Sequence, residues 1–148
     1  MKTSIATTLL AAASYAAATR VSYDTVYSDK SLSLTRTPCS YGSNGLMTKY
    51  GWKNVGEIPT KYVGGSSDVA AWNSDKCGQC YQVDYNGKTI HMLAIDYAGN
   101  GLNIAKGGLD ELTNGNAYYI GVIDATVTKV DLGSCLTGSS KREATFKA

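Results

Sequence analysis

The chain is poor in several residue types that usually announce a mechanism. Its 148 residues include one histidine, one phenylalanine and two prolines, and 18% are charged. The formal net charge is only +2, from 14 basic and 12 acidic residues. That balance excludes a strongly basic nucleic-acid module and an acidic disordered tail protein. There is no G-x-S-x-G nucleophile turn, no phosphate-binding glycine loop and no closely spaced pair of metal ligands. No cofactor is expected in a chain this short. Beyond the N-terminus, no apolar run approaches the length of a membrane-spanning helix.

What is abundant points elsewhere. Sixteen glycines and eleven tyrosines, with 43% apolar residues overall, suit a turn-rich, mainly β protein with one core. Lys2, the apolar stretch Ile5 to Ala13 and the small residues Ala16, Ala17 and Ala18 have the form of an export signal. Cleavage is expected after Ala18, which assigns residues 1–18 to the signal. Losing Lys2 with it lowers the net charge from +2 to +1. The expected domain covers residues 19–138, and residues 139–148 are expected to form a flexible tail after Gly138. Within that tail, Lys141-Arg142 has the form of a dibasic processing site. The mature chain is therefore expected outside the cell, with no lipid anchor.

Cys39, Cys77, Cys80 and Cys135 all lie in the mature part, an even number that an oxidising compartment would join into two disulfides. Three connectivities are possible. Cys77-Gly78-Gln79-Cys80 resembles a redox pair, but β-type residues follow it (Tyr81, Val83, Tyr85) where a redox motif needs a helix. A zinc site would need a second close ligand pair, and the chain offers only distant cysteines and His91.

Along the chain, Ser31 to Thr35 alternates polar and apolar and predicts a half-buried strand. Residues 40–67 are glycine-rich and predict loops with short pairings. Ser67-Asp68 is suited to cap a short helix reaching Trp72. Tyr81 to Tyr85, Asn86-Gly87 and Lys88 to Ile95 predict a hairpin, because Asn-Gly readily adopts the positive φ of a two-residue turn. Leu109 and Leu112 before Gly115 predict a short helix, and the β-branched run 120–130 predicts a strand. Many short strands and small helices around one core suggest a barrel.

An ordered set of segments then resembles a known family. Val21-Ser22-Tyr23-Asp24, Cys39-Ser40-Tyr41-Gly42-Ser43-Asn44-Gly45-Leu46, and Ala71-Trp72-Asn73-Ser74 are its first parts. Cys77-Gly78-Gln79-Cys80-Tyr81, Leu93-Ala94-Ile95-Asp96, Leu112-Thr113-Asn114-Gly115, Val122-Ile123-Asp124-Ala125 and Cys135 continue it. Together they resemble the cerato-platanin family over residues 21–135. The resemblance implies a six-stranded double-psi β-barrel with two or three short helices, and disulfides joining Cys39 to Cys77 and Cys80 to Cys135. It further implies a small protein secreted by a filamentous fungus. Such a protein binds chitin or N-acetylglucosamine oligomers, loosens polysaccharides without cutting them, self-associates at interfaces and elicits plant defence. Plant cell-surface components are then possible partners. Tyr41 and Tyr97 depart from the family pattern, which usually has polar groups there, and an aromatic ring beside a groove can stack on a sugar.

Asp96 closes an apolar strand and is expected at the barrel rim, where its carboxylate would accept bonds from sugar hydroxyls. Asn103, Ser43, Asn44, Tyr23, Asp24 and Tyr97 complete the expected carbohydrate-binding set, with no catalytic or metal-binding residue. Glycoside hydrolysis normally needs a second carboxylate about 5–9.5 Å away. The nearest acids in sequence, Asp84 and Asp110, lie in no matching motif, and Asp24 is the only other acid of the family pattern near the groove, so binding without cleavage is the leading expectation. A hydrolase or lytic transglycosylase, and an interface-active wall protein, are its rivals. Trp72 is expected in the core, His91 on a surface or cross-strand position, and Trp52 has no clear assignment.

Overall fold

The computed structural model describes residues 17–138. Most of the expected export signal and all of the expected tail, Lys141-Arg142 included, lie outside the described residues. Six strands form the body: β1 Thr19–Asp24, β2 Val63–Ser66, β3 Cys80–Tyr85, β4 Lys88–Tyr97, β5 Leu102–Ala105 and β6 Val122–Val130. They close into a barrel in the order β1-β5-β2-β4-β3-β6. The pairs β1–β5 and β2–β4 are parallel and the other four antiparallel. Three short helices, α1 Leu46–Tyr50, α2 Lys106–Leu112 and α3 Ala117–Ile120, sit in the connections. Cys39–Cys77 and Cys80–Cys135 are the two disulfides. This is the barrel, helix count and pairing that the resemblance implied. Spanning 38 and 55 residues of chain, each crosslink contributes about 4 kcal/mol by restricting the unfolded chain.

The barrel is built on alternation. Tyr81 and Val83 of β3 pair with Met92 and Ile90 of β4, and all four are buried. Between them Gln82 pairs with His91, and Asp84 with Thr89, on the outer face. One face is apolar and the other polar, as a half-solvated antiparallel pair requires. The turn is Asn86-Gly87, with φ of 47° and 76°. His91 is thus the cross-strand residue expected. Helix α2 buries Leu109 and Leu112 and stops before Asn114-Gly115, both at positive φ.

Three expectations are corrected. Residues 31–35 do not form a strand: Ser33 makes one isolated bridge to Asn54, and Leu34–Arg36 turns into a 3-10 helix. Leu32 and Leu34 are buried, as the alternation required. The Ser33 side chain caps the Thr35 N–H, however, and the Thr37 hydroxyl donates to the Leu34 carbonyl. Such local bonds divert a backbone from a ladder. Ser67-Asp68 starts no helix, since the Asp68 carboxylate is drawn away to Tyr81 and Lys129. With no helix to carry it inward, Trp72 is 60% exposed, not core. Trp52 lies half-buried against the core and stacks on Tyr50 at 4.4 Å.

Candidate functional site

Four residues on four adjacent strands stand in one register line. Asp96 of β4 pairs with Gly65 of β2, Gly65 with Asn103 of β5, and Asn103 with Ser22 of β1. Paired residues share a face. Val21, Leu102 and Ile104, which flank Ser22 and Asn103, are buried in the barrel. Ser22, Asn103 and Asp96 therefore look outward, across a floor that has no side chain at Gly65.

The outward aim of Asp96 depends on an irregularity. Gly64 pairs with Ala94, but the next residue, Gly65, pairs with Asp96, skipping Ile95. A regular strand would put Asp96 on the same inward face as Ala94. The bulge reverses it, which is a recurrent use of bulges beside functional sites. Gly65 cannot be replaced cheaply, because a Cβ there would lie 2.6 Å from the Tyr97 carbonyl oxygen and 3.2 Å from the Tyr27 hydroxyl.

Both oxygens of Asp96 are held. Its Oδ2 accepts from the Tyr27 hydroxyl at 3.1 Å and its Oδ1 from the Tyr97 N–H at 2.8 Å. Tyr27 is presented by a 3-10 turn, Thr25–Ser28, which Asp24 caps by accepting from the Val26 N–H at 2.9 Å. Burial, and then the negative charge of Asp96, push the Tyr27 hydroxyl far above its ordinary value, with Asp24 adding to the effect. Tyr27 thus stays a neutral donor. At the other end of the line, Ser22 Oγ donates to Asn103 Oδ1 at 3.2 Å. That leaves the Asn103 amide nitrogen without a partner among the described residues. The trough offers a fixed carboxylate, an amide donor and hydroxyls, a donor–acceptor set suited to a polyhydroxylated chain.

The expected residues divide. Asp96 and Asn103 meet in the trough, and Asp24 supports it through Tyr27. Tyr23 faces the other way, opposite Ile104 and packed against the core. Tyr97 ends β4, opposite Ser66 and 52% exposed. Ser43 and Asn44 belong to a separate loop, where the Asn44 N–H and side-chain amide donate to Asn73 at 2.8 and 3.0 Å. No hydrogen bond joins that loop to the Asp96 line among the described residues. Asp84 is occupied by Gln82 and Thr89, and Asp110 by Lys106 and the Ala117 N–H. Tyr27, Gly65 and Ser22 are the contributors that reading the sequence missed. The adjacent Gly64-Gly65 was the available signal, since glycines inside a strand mark close backbone approach.

Comparison with known proteins agrees with this architecture. The cerato-platanin family model matches residues 19–137. The chain is 49% identical over 121 residues to the heat-stable 19 kDa antigen of Coccidioides immitis, covering 81% of this chain and 82% of that one. It is 34% identical over 127 residues to cerato-platanin of Ceratocystis fimbriata f. sp. platani, covering 84% and 92%. The crystal structure of cerato-platanin 3 from M. perniciosa superposes with a TM-score of 0.77 at 43% identity, over 80% of this chain and 98% of that one. The solution structure of the fungal elicitor cerato-platanin superposes with a TM-score of 0.67 at 32% identity, over 78% and 95%. With the family model matching residues 19–137 and the barrel superposing on solved members, the chain belongs to the cerato-platanin family.

Proposed function

We infer that this chain is an exported protein that binds chitin or N-acetylglucosamine oligomers in the Asp96 trough and loosens polysaccharide networks without cutting them. The observation that carries the reading is the line Ser22–Asn103–Gly65–Asp96, in which a carboxylate held at both oxygens stands beside a glycine whose outer side meets the Tyr27 hydroxyl. Sugar hydroxyls donate to Asp96, and the Asn103 amide donates to a sugar oxygen. Asp84 and Asp110 are engaged elsewhere, and Asp24, the other acid near Tyr27, caps the Val26 N–H. Export is supported by the form of residues 1–18 and by two disulfides, which persist in oxidising compartments. One structural relative is described as a fungal elicitor. We extend that role to this chain, with components of the plant cell surface as its partners.

A shallow, open trough exchanges many water contacts for little buried area, so binding is weak, with Kd near 1 mM or about −4 kcal/mol. Titration of N-acetylglucosamine oligomers followed by NMR tests the reading. Shifts at Asp96, Asn103 and Gly65 are expected, and Asp96→Ala should weaken binding tenfold or more with the fold intact. Silence at these positions ends the reading, and release of new reducing ends from chitin, lost in Asp96→Ala, replaces it with a hydrolase.

A second reading rests on α3, where Tyr118, Tyr119 and Ile120 are 73%, 85% and 43% exposed. A run of exposed apolar side chains favours self-association at an air–water or wall interface. Surface-tension lowering that survives Asp96→Ala but falls in Tyr119→Ser would support it.

A further inference from the structure

A second tyrosine–carboxylate pair stands at the mouth of the barrel, behind the trough. Residues alternate along β2 and β5, so Gly65 and Asn103 face the trough while Ser66 and Leu102 face inward. Ser66 Oγ donates to the Tyr81 hydroxyl at 3.0 Å, and that hydroxyl donates to Asp68 Oδ2 at 2.7 Å. Lys129 Nζ stands 3.3 Å from the same oxygen, and the Asp68 N–H returns to Ser66 Oγ at 3.1 Å. With Thr19, Ser67, Gly101, Leu102 and Val127, these groups line a recess of about 250 Å³.

The network fixes one edge of the recess and leaves the other available. Asp68 Oδ1 and the hydroxyls of Thr19 and Ser67 make no hydrogen bond among the described residues. The Tyr81 bond, helped by Lys129, holds the Asp68 carboxyl below the usual carboxylate range, so it is charged in weakly acidic surroundings. Lys129 offsets that charge, so neither an anion nor a cation is favoured overall. A neutral group that both gives and accepts hydrogen bonds is favoured, and adjacent hydroxyls on one ring do this: one donates to the carboxylate while its neighbour accepts from the ammonium. Val127 adds apolar surface for the ring's C–H face. The volume falls below the roughly 300–1,000 Å³ typical of sites for larger ligands, which limits the occupant to one ring.

We propose that the recess formed by Asp68, Lys129, Thr19 and Ser67 is a second binding site, which takes a single neutral pyranose through two adjacent hydroxyls. It stands independently of the glycan reading of the trough. The test is an NMR titration of the mature protein with glucose, N-acetylglucosamine and, separately, protonated glucosamine. Saturable shifts of the Ser67, Asp68 and Gly101 amides are expected with the two neutral sugars. Asp68→Asn, which keeps an acceptor for Tyr81, and Lys129→Met, on an exposed strand position, should each weaken binding fivefold or more. Asp96→Ala should leave these shifts unchanged, so failure here and failure of the trough reading are told apart. Three results overturn the assignment. One is the absence of shifts at ~100 mM sugar, a hundredfold above a 1 mM Kd. Another is survival of the shifts in both variants, and the third is a preference for charged glucosamine.

Discussion

The molecule uses the same chemical pair twice, on opposite sides of one sheet, to different ends. In the trough the Tyr27 hydroxyl donates to Asp96, and at the barrel mouth the Tyr81 hydroxyl donates to Asp68. Both tyrosine hydroxyls are pushed far above their ordinary value, and burial is the largest cause of each shift. The surroundings of the carboxylates differ. Asp96 has a backbone amide on its second oxygen and no ion-pair partner among the described residues, while Asp68 has Lys129. The first pair is an uncompensated acceptor on an open face, and the second is neutral overall and recessed. A shared donor therefore does not define a site; the charge beside the acceptor and the space above it decide what can bind.

The most severe way to break this comparison is to fill the trough floor. Gly65→Val puts carbon 2.6 Å from the Tyr97 carbonyl oxygen and beside the Tyr27 hydroxyl, where backbone must move. Destabilisation of about 1–3 kcal/mol is expected, as for other overpacked sites, and urea denaturation will measure it. Glycan binding in the trough should disappear while the recess keeps its shifts.

Removing the hydroxyls separates the pairs by a smaller amount. Tyr81→Phe deletes a buried donor to a carboxylate and the acceptor of Ser66, so a loss of about 1.5–3 kcal/mol is expected. Tyr27→Phe deletes one donor at the edge of the trough, about 1–2 kcal/mol, and lets the Asp96 side chain turn. Its oligomer binding should weaken several-fold, which Tyr81→Phe should not cause. The pH dependence has a definite sign. Each hydroxyl titrates higher in the folded state than in the unfolded chain, where its pKa is about 10. Each therefore contributes stability in full below pH ~10, lost as pH rises further. Alkaline unfolding of the parent chain should be steeper than that of either phenylalanine variant.

How legible these regions were in the sequence follows from how local their determinants are. The β3–β4 hairpin is carried by alternation and Asn86-Gly87 within one short segment, and α2 by Leu109, Leu112 and the Asn114-Gly115 stop. Position Asp96 at the end of an apolar strand was readable, whereas Asn103 alone looks like an ordinary turn residue and entered the expected set only through the family resemblance. The trough itself was not, because it depends on a bulge at Ile95 and on Gly65 meeting two other strands, which no local pattern records. Tyr27 was missed for the same reason: its partner lies 69 residues away. The helix expected from Ser67-Asp68 failed because a capping residue and a carboxylate for Tyr81 look alike in sequence. The loop with Ser43 and Asn44 was read as part of the groove, whereas Asn44 spends its donors on Asn73.

The finest distinction concerns Lys129, whose charge sets the recess apart from the trough. The side chains of this ion pair are 51% and 39% exposed, so the pair is worth about 0–1 kcal/mol and weakens with salt. Lys129→Met should change stability by no more than about 0.5 kcal/mol at neutral pH. Because the folded carboxyl of Asp68 titrates below the unfolded value of about 3.9, the stability it adds is present above that pH and fades as pH falls through the lower folded value. Asp68→Asn should remove that acid-side loss, while Lys129→Met should only reduce it, since Tyr81 supplies the larger part of the shift. A neutral-pH loss of 3 kcal/mol or more in Lys129→Met, the range of a broken buried ion pair, would make the barrel mouth a closed structural lock instead of an open recess. The two tyrosine–carboxylate pairs would then differ in burial and not in charge.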